Sequence, residues 1–340
     1  MAALGLAGMG NLHNDKQLQR LSRVKYGEAL AFTNEALRDP LKNLDTAIRT
    51  TIMLALFQLI PCITSGLDLP ENFFDWSRDG KALDLLPEDE RPGADLVPII
   101  ARFAHLNAIL STRAHTDEDE STAQTLRQLL EVDADMDDWE SSQQGKWRYE
   151  VLNSPDLPRE AVFRGNYHRY SDVWVSRVWN HFRWARLLTN QRILELAEQN
   201  PRTATAGGIP PGGPRQEHIR ATVRRLAADV LTSVPTHYRH PRLTWKDLDT
   251  VQTHGGAGAG AVGIPHLTFH LRVAACAPGV PYEIWRWALD VMDTVWAELG
   301  MLHAKSLAEV LRKHRDRLDK ASAEGKLKVE EDEDAEGECA

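Results

Sequence analysis

Cysteine is scarce: Cys62, Cys276 and Cys339 are the only three in 340 residues. An odd number at wide separation excludes a disulfide framework and a zinc site built from local ligand pairs, and it fits a reducing compartment. Positive charge is also short. Forty Lys and Arg stand against 49 Asp and Glu, a net charge of -9, whereas autonomous DNA-binding domains carry basic excess to neutralise phosphates. Nucleic-acid binding by this chain alone is therefore not expected. No run reaches the roughly 18 uncharged apolar residues of a membrane span, and the opening MAALGLAGMGNLHNDK lacks a basic leader segment. The expectation is an intracellular chain without a membrane partner. A G-x-S-x-G nucleophile elbow is missing, and no alternating strand pattern recurs.

Apolar bulk is plentiful. Hydrophobic residues make up 42% and tryptophan occurs ten times, enough to place the chain in the globular class. Residues 170–188, YSDVWVSRVWNHFRWARLL, concentrate three tryptophans, a tyrosine and a phenylalanine. At about 100° per residue, Tyr170, Trp174, Val175, Val178, Trp179, Phe182, Ala185 and Leu188 cover half of a helix. Val173, Trp184 and Leu187 put apolar surface on the other half, so this helix should have neighbours nearly all round. A polar seam remains, made of Asp172, Ser176, Asn180 and Arg183. Buried polar groups need partners, so the seam either pairs with adjacent helices or lines a small-molecule effector pocket.

Helical periodicity recurs over 15–38, 44–60, 96–114, 117–142, 166–199, 215–234, 282–299 and from 302 onward, with HLTFHLRVAACA a further apolar segment. Pro281 suits a helix first turn and Gly300 a C-cap. The stretches near 61–95, 201–214 and 236–265 read as loops from their proline and glycine. The expected fold class is all-α, an irregular array of about nine to twelve helices in a single large domain spanning 15–320. Residues 1–14 read as a flexible N-terminus and 321–340 as a disordered acidic tail.

Several local patterns invite chemistry and fall short of it. Gly258, Gly260 and Gly263 match a dinucleotide fingerprint in form. Without a buried strand before them, and with Pro265 close behind, they read as a flexible loop. His266 and His270 have the i, i+4 spacing of a helical metal pair, but no glutamate follows the first and no third ligand is suggested nearby. His237 and His240 are similar, so no metal, cofactor or catalytic residue is assigned. Cys62 lies at an apolar helix end, where burial raises a thiol pKa. The acidic start of 117–142 and the stripe Arg220, Arg224 and Arg225 read as solvated charge, the stripe being one candidate partner surface.

Beyond local chemistry, YGEALAFTNEALRDPLKNLDTAIRTTIMLALFQLI, WESSQQGKWRYEV, VFRGNYHRYSDVWVSRVWNHFRWARLLTNQRIL, LAADVLTSVP and WRWALDVMDTVWAELGMLHAKSLAEVL occur in that order. Together they resemble the regulatory region of fungal-specific transcription factors, the helical part found behind a binuclear zinc-cluster DNA-binding domain. The likeness covers about residues 20 to 315. Tyr26, Ala29 and Leu30 resemble that family's opening helix. Tyr170, Trp174, Trp179, Asn180, Arg183 and Arg186 resemble its aromatic central helix, and Asp229, Ser233, Val234 and Pro235 its Ser-Val-Pro segment. The zinc cluster needs six closely spaced cysteines, which this sequence lacks. The resemblance implies a non-enzymatic regulatory domain, nuclear with the cytoplasm also open to it. It would act through protein–protein contacts with transcriptional machinery or a partner regulator, with an effector and a homodimer as further partners. Two alternatives remain: a helical scaffold unrelated to transcription, and an enzyme with its site along the Asp172 to Arg183 seam.

Overall fold

The computed structural model describes residues 87–112, 120–251 and 264–320 continuously, the backbone of 321–337, and isolated positions between 16 and 69. Within them lie ten α-helices and a two-stranded sheet, so the all-α expectation holds. They are α1 (Arg91–Thr112), α2 (Glu120–Ser142), β1 (Glu150–Asn153), β2 (Asn166–Arg169), α3 (Val173–Gln199), α4 (Pro201–Ala206), α5 (Pro214–Thr232), α6 (Val234–His237), α7 (Trp245–Val251), α8 (Ile264–Cys276), α9 (Tyr282–Leu299) and α10 (Leu302–Gly337). The described positions between 16 and 35 and between 49 and 63 are helical as expected. The N-terminus 1–14, the interval between the expected helices 15–38 and 44–60, and the glycine-rich loop at 255–263 fall outside the described residues.

Helix α3 is the axis of the domain, packed against α1, α2, α5 and α8. Nineteen of its 27 residues are buried, about twice what a one-faced surface helix hides, as its all-round apolar sequence requires. Asp172 starts it as N-cap, its carboxylate accepting from the Val175 N–H at 2.8 Å. Trp184, Phe182, Val178 and Ala185 are fully enclosed, each large ring worth roughly 1.5–3 kcal/mol of transfer free energy. Tryptophan also brings a donor, unpartnered at Trp174 and Trp184 and bonded at others. Trp179 Nε1 donates to the Trp147 carbonyl at 2.8 Å, Trp147 Nε1 to Asp89 at 2.7 Å and Trp139 Nε1 to Pro92 at 2.8 Å. Helix α1 is long and apolar enough to cross a membrane, but its apolar residues are packed in the same core.

Four expectations need correction. Strands β1 and β2 pair antiparallel, Glu150 opposite Arg169 and Asn153 opposite Asn166; two four-residue strands are too short to show alternation in sequence. The expected loop 201–214 contains α4, and 236–265 contains the end of α6 and all of α7, short helices of 6, 4 and 7 residues stabilised by packing rather than propensity. Helix α1 begins at Arg91, inside the expected loop 61–95. Finally, α10 continues to Gly337 through most of the segment 321–340 read as a disordered acidic tail; that stretch is rich in Ala, Glu and Lys, all good helix formers. Gly300 does what its position suggested. It adopts φ 61° and donates its N–H to Trp296 as α9 ends.

Candidate functional site

The seam closes on partners from three other elements. Ser176 Oγ lies 2.6 Å from His237 Nε2 and Asn180 Nδ2 donates to the same nitrogen at 3.0 Å. Asn180 Nδ2 also donates to Ser233 Oγ at 3.0 Å, and its Oδ1 accepts from Arg183 at 2.9 Å. Arg183 reaches Tyr170 Oη at 2.7 Å. Tyr170 contacts His168 Nδ1 at 2.9 Å, and His168 Nε2 faces Asp229 Oδ1 at 3.7 Å. Asp172 is set apart as the helix cap, half-exposed and 4.0 Å from Arg49. The structure thus brings Ser176, Asn180 and Arg183 together and leaves Asp172 at the rim.

Arg183 is a buried cation, 1% exposed, and its charge needs compensation. Burial works against the guanidinium, while Tyr170, Tyr149 and Asp229 more than offset it and hold its pKa above the ordinary value. Its guanidinium also stands 5.0 Å from the Tyr149 ring centre and 5.5 Å from that of Trp179. Burial raises the Asp229 carboxyl, opposed by Arg183 and Arg225. Burial depresses His237 to about 3, with Arg177, Arg183 and His181 adding to it. Two clefts among the described residues lie elsewhere. One, of about 230 Å³, is lined by Glu195, Cys276, Trp285 and Arg315; the other, of about 370 Å³, by Arg159, Phe163, Arg164 and Trp287. Ser176, Asn180 and Arg183 thus belong to a buried hydrogen-bonded network.

Charged side chains nearby are paired, while the acidic start of the segment 117–142, at 117–119, lies outside the described residues. Arg186, 2% exposed, is held by three carboxylates of α2: Asp133 at 2.9 Å, Asp137 at 2.7 Å and Glu140 at 2.8 Å. Their 4 and 3 spacing places them on one helix face. In the arginine stripe, Arg225 binds Glu140 at 2.7 Å and Arg220 pairs with Glu217 at 2.9 Å, so the stripe is largely engaged.

On a neighbouring side of α3, the ring nitrogens are not satisfied in this way. His181 meets His266 and His270 of α8, with ring centres 4.3 and 5.5 Å away. One ring nitrogen from each of the three lies within 4.8 Å of the others. His181 Nδ1 stands 2.9 Å from the Arg177 carbonyl and His270 Nδ1 2.6 Å from the His266 carbonyl, so in both rings Nδ1 carries the hydrogen. Both Nε2 atoms are buried without a hydrogen-bond partner. Burial pushes His181 down to about 4 and moves His266 and His270 in the same direction, which leaves neutral imidazoles with available lone pairs. The third member, absent from the local spacing of His266 and His270, comes from 85 residues earlier in the chain. His237 and His240, by contrast, separate: His237 joins the seam, and His240 Nδ1 accepts from the Arg242 N–H at 3.2 Å.

No protein-family model, curated protein or solved structure matches this chain.

Proposed function

We propose that the chain is a non-catalytic transcriptional regulatory domain of the fungal transcription factor kind, working in the nucleus through protein contacts. A partner regulator or the transcriptional machinery is the expected counterpart, with a small-molecule effector and a second copy of the chain as further partners. Base readout is left to another component.

One observation carries this reading. The residues on which the family resemblance rests, scattered over 170–186 and 229–235, bond to one another: Asn180 to Ser233 at 3.0 Å and Arg183 to Tyr170 at 2.7 Å. Such a set acts as the internal frame of one helical unit rather than as a reacting centre, since a general acid or base must reach a substrate proton. The frame holds other surfaces in place for partners, including Trp245, 73% exposed and stacked under Arg239 at 4.1 Å. Aromatic side chains in that setting are favoured at protein interfaces.

The test fuses the full chain to a heterologous DNA-binding module and reads a reporter gene in cells, alongside the location of the unfused chain. The expected result is reporter output changed several-fold and a nuclear pool. Unchanged output together with exclusion from the nucleus would overturn the proposal and leave a scaffold unrelated to transcription.

A further inference from the structure

We propose that His181, His266 and His270 form a binding site for a late first-row transition-metal ion, of which Zn²⁺ is the working probe. Three features support it.

The first is convergence. His266 and His270 stand one turn apart on α8 and His181 projects from the central helix towards them, with the candidate ligand nitrogens within 4.8 Å of each other. Tetrahedral coordination with Zn–N near 2.0–2.1 Å places ligand nitrogens roughly 3.4 Å apart. His266 Nε2 also lies 3.3 Å from His181 Nδ1, the nitrogen that carries the hydrogen, so these two rings are already in contact. Bringing nitrogens that stand up to 4.8 Å apart to the coordination spacing takes about 1.4 Å.

The second is orientation. Metal-binding histidines characteristically donate their other ring N–H to a carbonyl or carboxylate, which fixes the tautomer and aims the ligating lone pair. His181 and His270 both do so, each to the carbonyl four residues earlier on its own helix, Arg177 and His266. This leaves two buried Nε2 acceptors with nothing to accept from. Buried polar atoms without partners are uncommon in folded proteins, and two of them on rings in mutual contact point to a ligand between those rings.

The third is the donor chemistry. The group contains three imidazoles and no carboxylate, a set that suits Zn²⁺, Cu or Ni and not Mg²⁺ or Ca²⁺, which take oxygen ligands. His181 and His270 are fully buried, while His266 is partly exposed. Access and a fourth ligand, water or a small anion, therefore come from the His266 side. The half-buried Arg177 lies close enough to depress the pKa of His181 and His266, and its charge makes an anionic fourth ligand the better complement to a dication.

The test uses the full chain stripped with a chelator. Zn²⁺ is titrated calorimetrically, and Co²⁺ is added as a spectroscopic substitute. The expected result is one equivalent bound, visible Co²⁺ bands of a low-symmetry four-coordinate site, and a thermal midpoint that rises with metal concentration as linkage demands. His266→Ala, which removes the least buried ring, should weaken binding at least about 100-fold. His105→Ala, a half-exposed histidine paired with Asp68, should leave it unchanged. Absence of stoichiometric binding by the wild-type chain would overturn the proposal, as would equal loss in the His266 and His105 variants. His181→Asn and His270→Asn extend the test if they fold; otherwise the wild-type titration and His266→Ala decide it. Because binding is read on the purified chain, its failure is independent of any reporter result.

Discussion

Two sides of the same helix treat buried nitrogen in opposite ways. The side chains of Ser176, Asn180 and Arg183 are bonded to His237, Ser233 and Tyr170, although His168 Nε2 beside them has no hydrogen-bond partner. Around His181, two ring nitrogens of comparable burial have no partner. Both regions are polar islands in an aromatic core, and sequence alone makes the first look more like a binding site. The geometry reverses that ranking. Where side chains are already bonded to one another little capacity is left for a ligand, whereas two facing unsatisfied acceptors retain it, because desolvation has already been incurred and an incoming group recovers it.

Substitutions that treat the two sides alike would break this contrast. Arg183→Ala should have the largest effect, a loss of about 3–5 kcal/mol in urea unfolding, because it leaves Asp229 facing an emptied site. A loss below about 1 kcal/mol would mean that water or side-chain movement replaces the guanidinium.

Acid should act through His237. Its folded pKa, near 3, is below the unfolded value of about 6.5. Stability from this ring is therefore complete above pH 6.5 and is lost as pH falls towards the folded value, since the unfolded chain takes up a proton that the folded one refuses. At pH 5 the loss from this group is about 2 kcal/mol. His237→Gln, less stable than wild type at pH 7.5, should see that gap shrink by about the same amount at pH 5, measured by urea midpoints at both values. A gap independent of pH would show that the fold leaves the His237 pKa at its unfolded value.

Asn180→Ala removes the side chain shared by Ser233, His237 and Arg183 and should cost about 1–3 kcal/mol. A double-mutant cycle with Ser233→Ala should give less than the sum of the single effects, because both lose the same 3.0 Å bond. The smallest effect belongs to the other side. His270→Leu in the metal-free chain should stay within about 1 kcal/mol of wild type, since it removes an unpartnered nitrogen and fills similar volume. A seam-sized loss there would erase the distinction between the two regions.

Much of the fold was legible in the sequence because it is written in local periodicity. The 3.6-residue repeat located α5, α9 and the end of α3 to within two residues, and Pro281 and Gly300 marked where α9 starts and stops, but α3 begins at Val173, seven residues after the expected 166, where β2 stands instead. What escaped depended on partners far along the chain. The ion pairs of Asp133, Asp137 and Glu140 left no local sign because their cation, Arg186, lies about 50 residues away. The His266 and His270 pair looked incomplete because its third ring sits on another helix. The hairpin escaped for a different reason: residues 150–153 and 166–169 are held by each other's backbone and offer too few side chains for alternation to register.

The indole bonds give the domain a built-in reporter. Trp179 is fastened to Trp147, Trp147 to Asp89, and Trp139 to Pro92, so three fluorophores share the fate of the junction between α1, α2 and α3. Those layers cannot part without wetting all three rings together. Their emission should therefore shift to the red in a single sigmoid on heating, superimposable on loss of helical ellipticity, and a two-step curve would reveal that one layer detaches before the others.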